Sequence, residues 1–146
     1  MKRIDFIKNC GMSCLGTIMM PVILQGCAGT KYFDATIEGN DLVIPLSSFE
    51  IIKDGTTHYR KYIVAENETL QFPICVYRLD KDKYQALWMK CTHQGTELHV
   101  FGDKLQCPAH GSEFANTGAV QNGPAADPLR TFPITISETS LKINLR

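Results

Sequence analysis

Two short segments constrain this chain more than anything else in it: Cys91-Thr92-His93-Gln94-Gly95 and Cys107-Pro108-Ala109-His110-Gly111-Ser112. Each puts one thiol and one imidazole within a few residues of each other. Cys and His are soft and borderline ligands suited to iron or zinc. A glycine follows each His, at once or after one residue. Glycine tolerates positive φ, so the backbone can come close to a buried group. Thirteen residues lie between His93 and Cys107, enough for two short strands turning at Gly102-Asp103. The two pairs can therefore converge on one site from opposite sides.

The surrounding sequence reads as β. Leu42 to Leu46 is a short apolar run, followed by Tyr59 to Ala65 and Phe72 to Arg78. In the last of these, Ile74 and Val76 alternate with Cys75 and Tyr77, a period of two. Tyr84 to Lys90 sets Tyr84, Ala86 and Trp88 against Gln85, Leu87 and Met89, and Asp80-Lys81-Asp82-Lys83 suits a solvated hairpin turn before it. Phe132, Ile134 and Ile136 alternate, residues 137–140 turn the chain, and Leu141, Ile143 and Leu145 alternate with Lys142, Asn144 and Arg146. That final hairpin is the cleanest strand signal. No apolar stripe at helical spacing follows residue 40. These patterns predict an all-β fold, a small sandwich or partial barrel of antiparallel sheets, over residues 41–146. Residues 27–40, polar and glycine-containing, read as a tether.

The chain has 146 residues, 44% of them hydrophobic, which supports one core and excludes a large two-domain enzyme. Its formal net charge is zero. The basic excess of a nucleic-acid binder is missing.

The N-terminus has a different character. Lys2, Arg3 and Lys8 are followed by no charge until Lys31, and the stretch from Cys10 to Leu24 is apolar. That is the pattern of an export signal, residues 1–26. Its end, Leu24-Gln25-Gly26-Cys27, resembles a bacterial lipobox, with Gln25 its one departure. The resemblance implies cleavage before Cys27 and lipid on that residue, anchoring the protein to the cell envelope on the periplasmic side. An uncleaved membrane anchor is the alternative. Lys2 to Lys8 also resembles a degraded twin-arginine motif with Ile4 in place of the second Arg, so the export route stays open. Cleavage would remove three positive charges and one negative, leaving −2. Cys10 and Cys14 would leave with the signal. Cys75, Cys91 and Cys107 remain, too few for a disulfide framework.

Structural zinc sites usually pair two Cys on one knuckle and two His on a helix. Here each loop carries one of each and no helix follows. A two-iron cluster with inequivalent irons uses this mixed supply, two thiolates for one iron and two imidazoles for the other. A zinc-stabilised binding module is the alternative.

The paired motifs resemble those of the Rieske [2Fe-2S] family. So does Gly123-Pro124-Ala125 with Pro128-Leu129, similar to the proline loop that shields the cluster there. The resemblance runs from about Leu42 to Leu145. It implies a small all-β domain with one [2Fe-2S] cluster at its tip, Cys91 and Cys107 on the buried iron, and His93 and His110 on the outer one. Family members of high potential place a Ser just after the second motif's Gly and a Tyr two residues beyond. Ser112 keeps the first hydrogen-bond donor to the cluster, and Phe114 lacks the second. The implied potential is on the order of 0 to +200 mV. In cytochrome bc and b6f members a second Cys in each loop forms a bridging disulfide. Thr96 and Ala109 stand at those positions, and Gln94 replaces the Leu usual at the quinol-docking face. A standard quinol-oxidising subunit is therefore not expected.

The resemblance implies a one-electron carrier rather than a stand-alone enzyme, exchanging electrons at its solvent-facing histidine edges. Oxidation is expected to acidify those imidazoles. The expected partners are redox proteins, with a larger periplasmic oxidase or a quinol-oxidising complex as the alternative, and the membrane through lipid on Cys27. No nucleic-acid partner is expected. Four further side chains are assigned ordinary roles: His58 as a solvated loop residue, His99 as structural or exposed, Trp88 as core packing, and Cys75 as a small buried hydrophobe.

Overall fold

The computed structural model of the protein describes Thr30 and residues 32–146. The signal-type segment 1–26 and Cys27 lie outside the described residues. The chain opens with β1 (Tyr32–Asp34), β2 (Thr36–Glu38) and β3 (Asp41–Pro45), then makes a 3-10 turn at Leu46–Phe49. A hairpin of β4 (Glu50–Lys53) and β5 (Thr56–Tyr59) follows, then β6 (Tyr62–Glu66), β7 (Ile74–Asp80) and β8 (Lys83–Trp88). Next come β9 (His99–Phe101), β10 (Lys104–Gln106), β11 (Glu113–Ala115) and β12 (Val120–Asn122). The chain ends in β13 (Thr131–Phe132), β14 (Ile134–Ile136) and β15 (Ser140–Asn144). Among the described residues no helix is long and apolar enough to cross a membrane.

The strands form a central sheet in the order β1-β6-β7-β8-β13, with one four-stranded sheet against each face. Alternation along β7 explains the layering. Ile74 and Val76 point into one core, Cys75 and Tyr77 into another, and all four are buried. β6 and β8 divide the same way, with Ile63, Ala65 and Ala86 on one side and Val64 and Leu87 on the other. A strand covered on both faces has no polar side to show.

The first core lies against the sheet β14-β15-β3-β2. Leu141 pairs with Ile44 and Ile143 with Leu42 across β15 and β3, and all four are fully buried. Burying each such side chain contributes about 1.5–3 kcal/mol. The second core lies against the sheet β12-β11-β10-β9. The chain leaves the central sheet after Trp88 and returns at Arg130, where the Trp88 amide donates to the Arg130 carbonyl at 2.9 Å. The residues between form a lobe at the tip.

Two expectations need correction. Residues 32–38 are not tether: β1 and β2 belong to the domain. Phe33 and Ile37 pack on the first core, and the Ala35 amide donates to the Glu66 carbonyl at 2.9 Å. The antiparallel sheets expected are present, with one parallel pair added at the edge, β1 beside β6 with Tyr32 opposite Val64. His58, expected in a loop, lies on exposed β5 opposite Ile51.

Candidate metal centre

Both Cys-His segments are tight loops in the tip lobe, and they share one backbone design. In the first, the Cys91 amide donates to the Thr96 carbonyl at 2.8 Å and the Gly95 amide to the Cys91 carbonyl at 2.9 Å. In the second, the Cys107 amide donates to Ser112 at 2.8 Å and the Gly111 amide to Cys107 at 3.0 Å. Gly95 and Gly111 hold φ of 73° and 77°, a left-handed conformation in which a Cβ is strained. Aligned on Cys and Gly, the loops differ in where the imidazole sits. His93 matches Ala109, His110 matches Gln94, and Thr96 matches Ser112.

This offset still brings the imidazoles together. The His93 and His110 rings are 4.9 Å apart, edge to face. His110 is exposed and His93 half-buried, while Cys91 and Cys107 are buried in the second core. The Nδ1 of His93 is buried with no hydrogen-bond partner. Burial alone would push the Cys107 thiol up. The backbone amides of His110 and Ala109, with the Cys91 and Thr96 side chains, hydrogen-bond its sulfur and hold it below the ordinary thiol value. The cysteines are free thiols, and no disulfide links the two loops.

A third segment closes the lobe. The Ala125 amide donates to Ser112 Oγ at 3.0 Å, and Thr92 Oγ1 donates to the Asp127 carbonyl at 2.7 Å. Residues 123–129 are thereby tied to both loops, with Ala125 and Leu129 buried beneath. The shielding loop expected from Gly123-Pro124-Ala125 and Pro128-Leu129 lies beside both motifs. Thr92 was not anticipated. Its partner is 35 residues away, and nothing in the local sequence signals the contact.

The donor set fits a two-iron cluster. Two sulfurs lie inside, two imidazoles lie outside them, and the orphaned Nδ1 is an atom awaiting a partner. Ser112, fully buried, spends an oxygen lone pair on the Ala125 amide and keeps its own proton to donate.

The other candidates behave simply. Burial pushes the Cys75 thiol up, so it stays neutral. His99 is exposed at the start of β9. Trp88 is half-buried, with Phe72 edge-on at 5.7 Å.

The model of the Rieske [2Fe-2S] domain family matches residues 49–133. The cytochrome b6-f complex iron-sulfur subunit 3 of Nostoc sp. strain PCC 7120 is 36% identical over 56 residues, covering 37% of this chain and 32% of that subunit. The anthranilate 1,2-dioxygenase ferredoxin subunit of Burkholderia cepacia is 32% identical over 79 residues, covering 51% of this chain and 72% of that one. Among solved structures, the plasma membrane Rieske protein of Synechocystis PCC 6803 superposes with a TM-score of 0.51 at 29% identity, covering 57% of this chain and 86% of that one. The chain thus spans about a third of the b6-f subunits it matches and most of the ferredoxin subunit.

Proposed function

The chain belongs to the Rieske [2Fe-2S] domain family, and from that premise we propose that it is a membrane-tethered one-electron carrier. A Rieske domain implies one [2Fe-2S] cluster per chain. We assign Cys91 and Cys107 to the inner iron and His93 and His110 to the outer one. One observation carries this assignment: two loops of the same hydrogen-bonded design set two buried thiols beneath two imidazoles 4.9 Å apart.

Bound there, the cluster supplies a one-electron couple. The chain's residues do the rest. Neutral imidazoles on one iron leave less negative charge than four thiolates, which raises the potential above that of plant-type ferredoxins. Ser112 adds a hydroxyl donor toward cluster sulfur, and donation stabilises the reduced, more negative state. Ala125 and Leu129 keep water from the inner side. The exposed His110 edge gives electrons a short route to the surface.

Tethering rests on Leu24-Gln25-Gly26-Cys27 and lipid on Cys27. Because β1 begins at Tyr32, residues 28–31 alone join Cys27 to the folded domain. Fully extended, that link reaches about 18 Å. A carrier held so closely works against partners in or on the same membrane, on the periplasmic face. This favours, as a second reading, a small subunit of a larger membrane-associated oxidoreductase. The free Thr96 and Ala109 positions argue against the disulfide-bridged quinol-oxidising type.

Reductive titration of anaerobically purified, coloured protein tests the carrier reading. Uptake of one electron per chain is expected, and a colourless, redox-silent protein would overturn it. Mass spectrometry of the membrane fraction tests the tether. A chain beginning at acylated Cys27 is expected, whereas retention of residues 1–26 would identify an uncleaved anchor.

A further inference from the structure

Beside His93 the surface opens into a groove of about 630 Å³, lined among others by Trp88, Lys90, Thr92, Asp127 and Arg130. Two cations flank the indole: Lys90 Nζ lies 4.9 Å and Arg130 Cζ 5.9 Å from its ring centroid. Neither forms an ion pair among the described residues, and Asp127 on the same rim pairs with neither.

Both cations are held rather than loose. The Lys90 stem crosses Gly95 so closely that a Cβ there would meet Lys90 Cε at 3.3 Å. Its ammonium also stands 5.7 Å from the Phe72 ring. Arg130 donates through Nη2 to the Leu145 carbonyl at 3.0 Å and stacks 4.6 Å from the Phe132 centroid. Positioned side chains lose less entropy on binding than free ones. Charge is also segregated. A separate hollow collects Asp34, Glu66, Glu68 and Glu97, so an acidic partner is repelled there and drawn to the groove.

We propose that this groove docks the acidic face of a protein redox partner, whose carboxylates sit on Lys90 and Arg130 and whose redox centre is brought over His93. This rests on the carrier reading above. Each encounter moves one electron between this chain and the partner, one being oxidised as the other is reduced, with no bond made or broken.

Binding and electron transfer test it separately. A fluorescent hexaglutamate peptide is titrated against the full chain and followed by anisotropy. The wild type binds it more tightly than hexalysine, and binding weakens with salt. The double variant Lys90→Gln/Arg130→Gln weakens it tenfold or more, and Lys90→Arg restores it in the presence of Arg130. Visible absorbance, read on the same samples, shows whether the cluster is present, so a failed carrier reading is distinguished from a failed groove. In stopped flow, the double variant slows oxidation by an acidic copper protein about tenfold and speeds oxidation by basic cytochrome c. Undiminished hexaglutamate binding in the double variant, or preference for hexalysine, overturns the proposal. Free glutamate binding as tightly as hexaglutamate would assign the groove to a small anion instead, and overturns it too.

Discussion

The two cores lie on opposite faces of the same strands, yet they are built from different material. On one face of β6, β7 and β8, Ile63, Ile74 and Val76 meet Leu42, Ile44, Leu141 and Ile143 from long paired strands. On the other, Val64, Cys75 and Leu87 meet Cys91, Cys107, Ala125 and Leu129, most of them from loops. The first core is hydrocarbon held in register by sheet ladders. The second is closed by short strands, three tied loops and two buried thiols that no disulfide joins. A sheet one residue thick thus separates a region that packs by itself from one that a cofactor completes.

The largest test of that contrast is to remove one ligand. Cys107→Ala should lose the cluster entirely. Hydrogen exchange should then show the tip amides around Leu98 and Leu105 losing protection while those of β3 and β15 keep theirs. Equal loss on both faces would break the comparison. Next in size, Ile143→Ala should cost about 2–5 kcal/mol in urea unfolding, with the cluster spectrum of the folded fraction unchanged.

A smaller effect probes the seam between the regions. Gly118 holds φ of 91°, and a Cβ there would meet Leu87 Cδ2 at 3.0 Å. Its carbonyl also receives the Leu129 amide at 2.9 Å. Gly118→Ala should cost about 1–2 kcal/mol and quicken cluster loss in air, read as bleaching. Bleaching at the wild-type rate would show that residues 123–129 do not guard the cluster.

The smallest effects tune the centre without unfolding it. One hydrogen bond of about 1 kcal/mol shifts a one-electron couple by about 40 mV. Phe114→Tyr, in the buried position two residues after Ser112, should raise the potential by several tens of millivolts. Ser112→Ala should lower it similarly. Voltammetry decides. An unchanged potential in Phe114→Tyr with the cluster intact would mean that residue 114 does not point at the cluster.

What the sequence made legible follows the same division. The β14–β15 hairpin was plain, because Ile134, Ile136, Leu141 and Ile143 alternate over enough residues to define a period. β1 and β2 were not. Each has three residues and one partly buried side chain, Phe33 or Ile37, so a period of two cannot register. The Cys and His pairs stood out by residue type and spacing alone. Their support did not, since the Thr92–Asp127 and Ser112–Ala125 bonds join residues 35 and 13 apart through backbone groups that any sequence carries. The two cations around Trp88 were hidden for a similar reason: Lys90 and Arg130 flank one indole only because β13 returns beside β8.

The central claim is that Cys91, His93, Cys107 and His110 share one cluster with both imidazoles on iron. Electron-nuclear double resonance on the reduced protein, grown with nitrogen-15 histidine, tests it most directly. Two histidine nitrogens coupled to the cluster are expected, with loss of the cluster signal in His93→Ala. Coupling to one nitrogen or none, or stoichiometric zinc in colourless protein made anaerobically with ample iron, would contradict it.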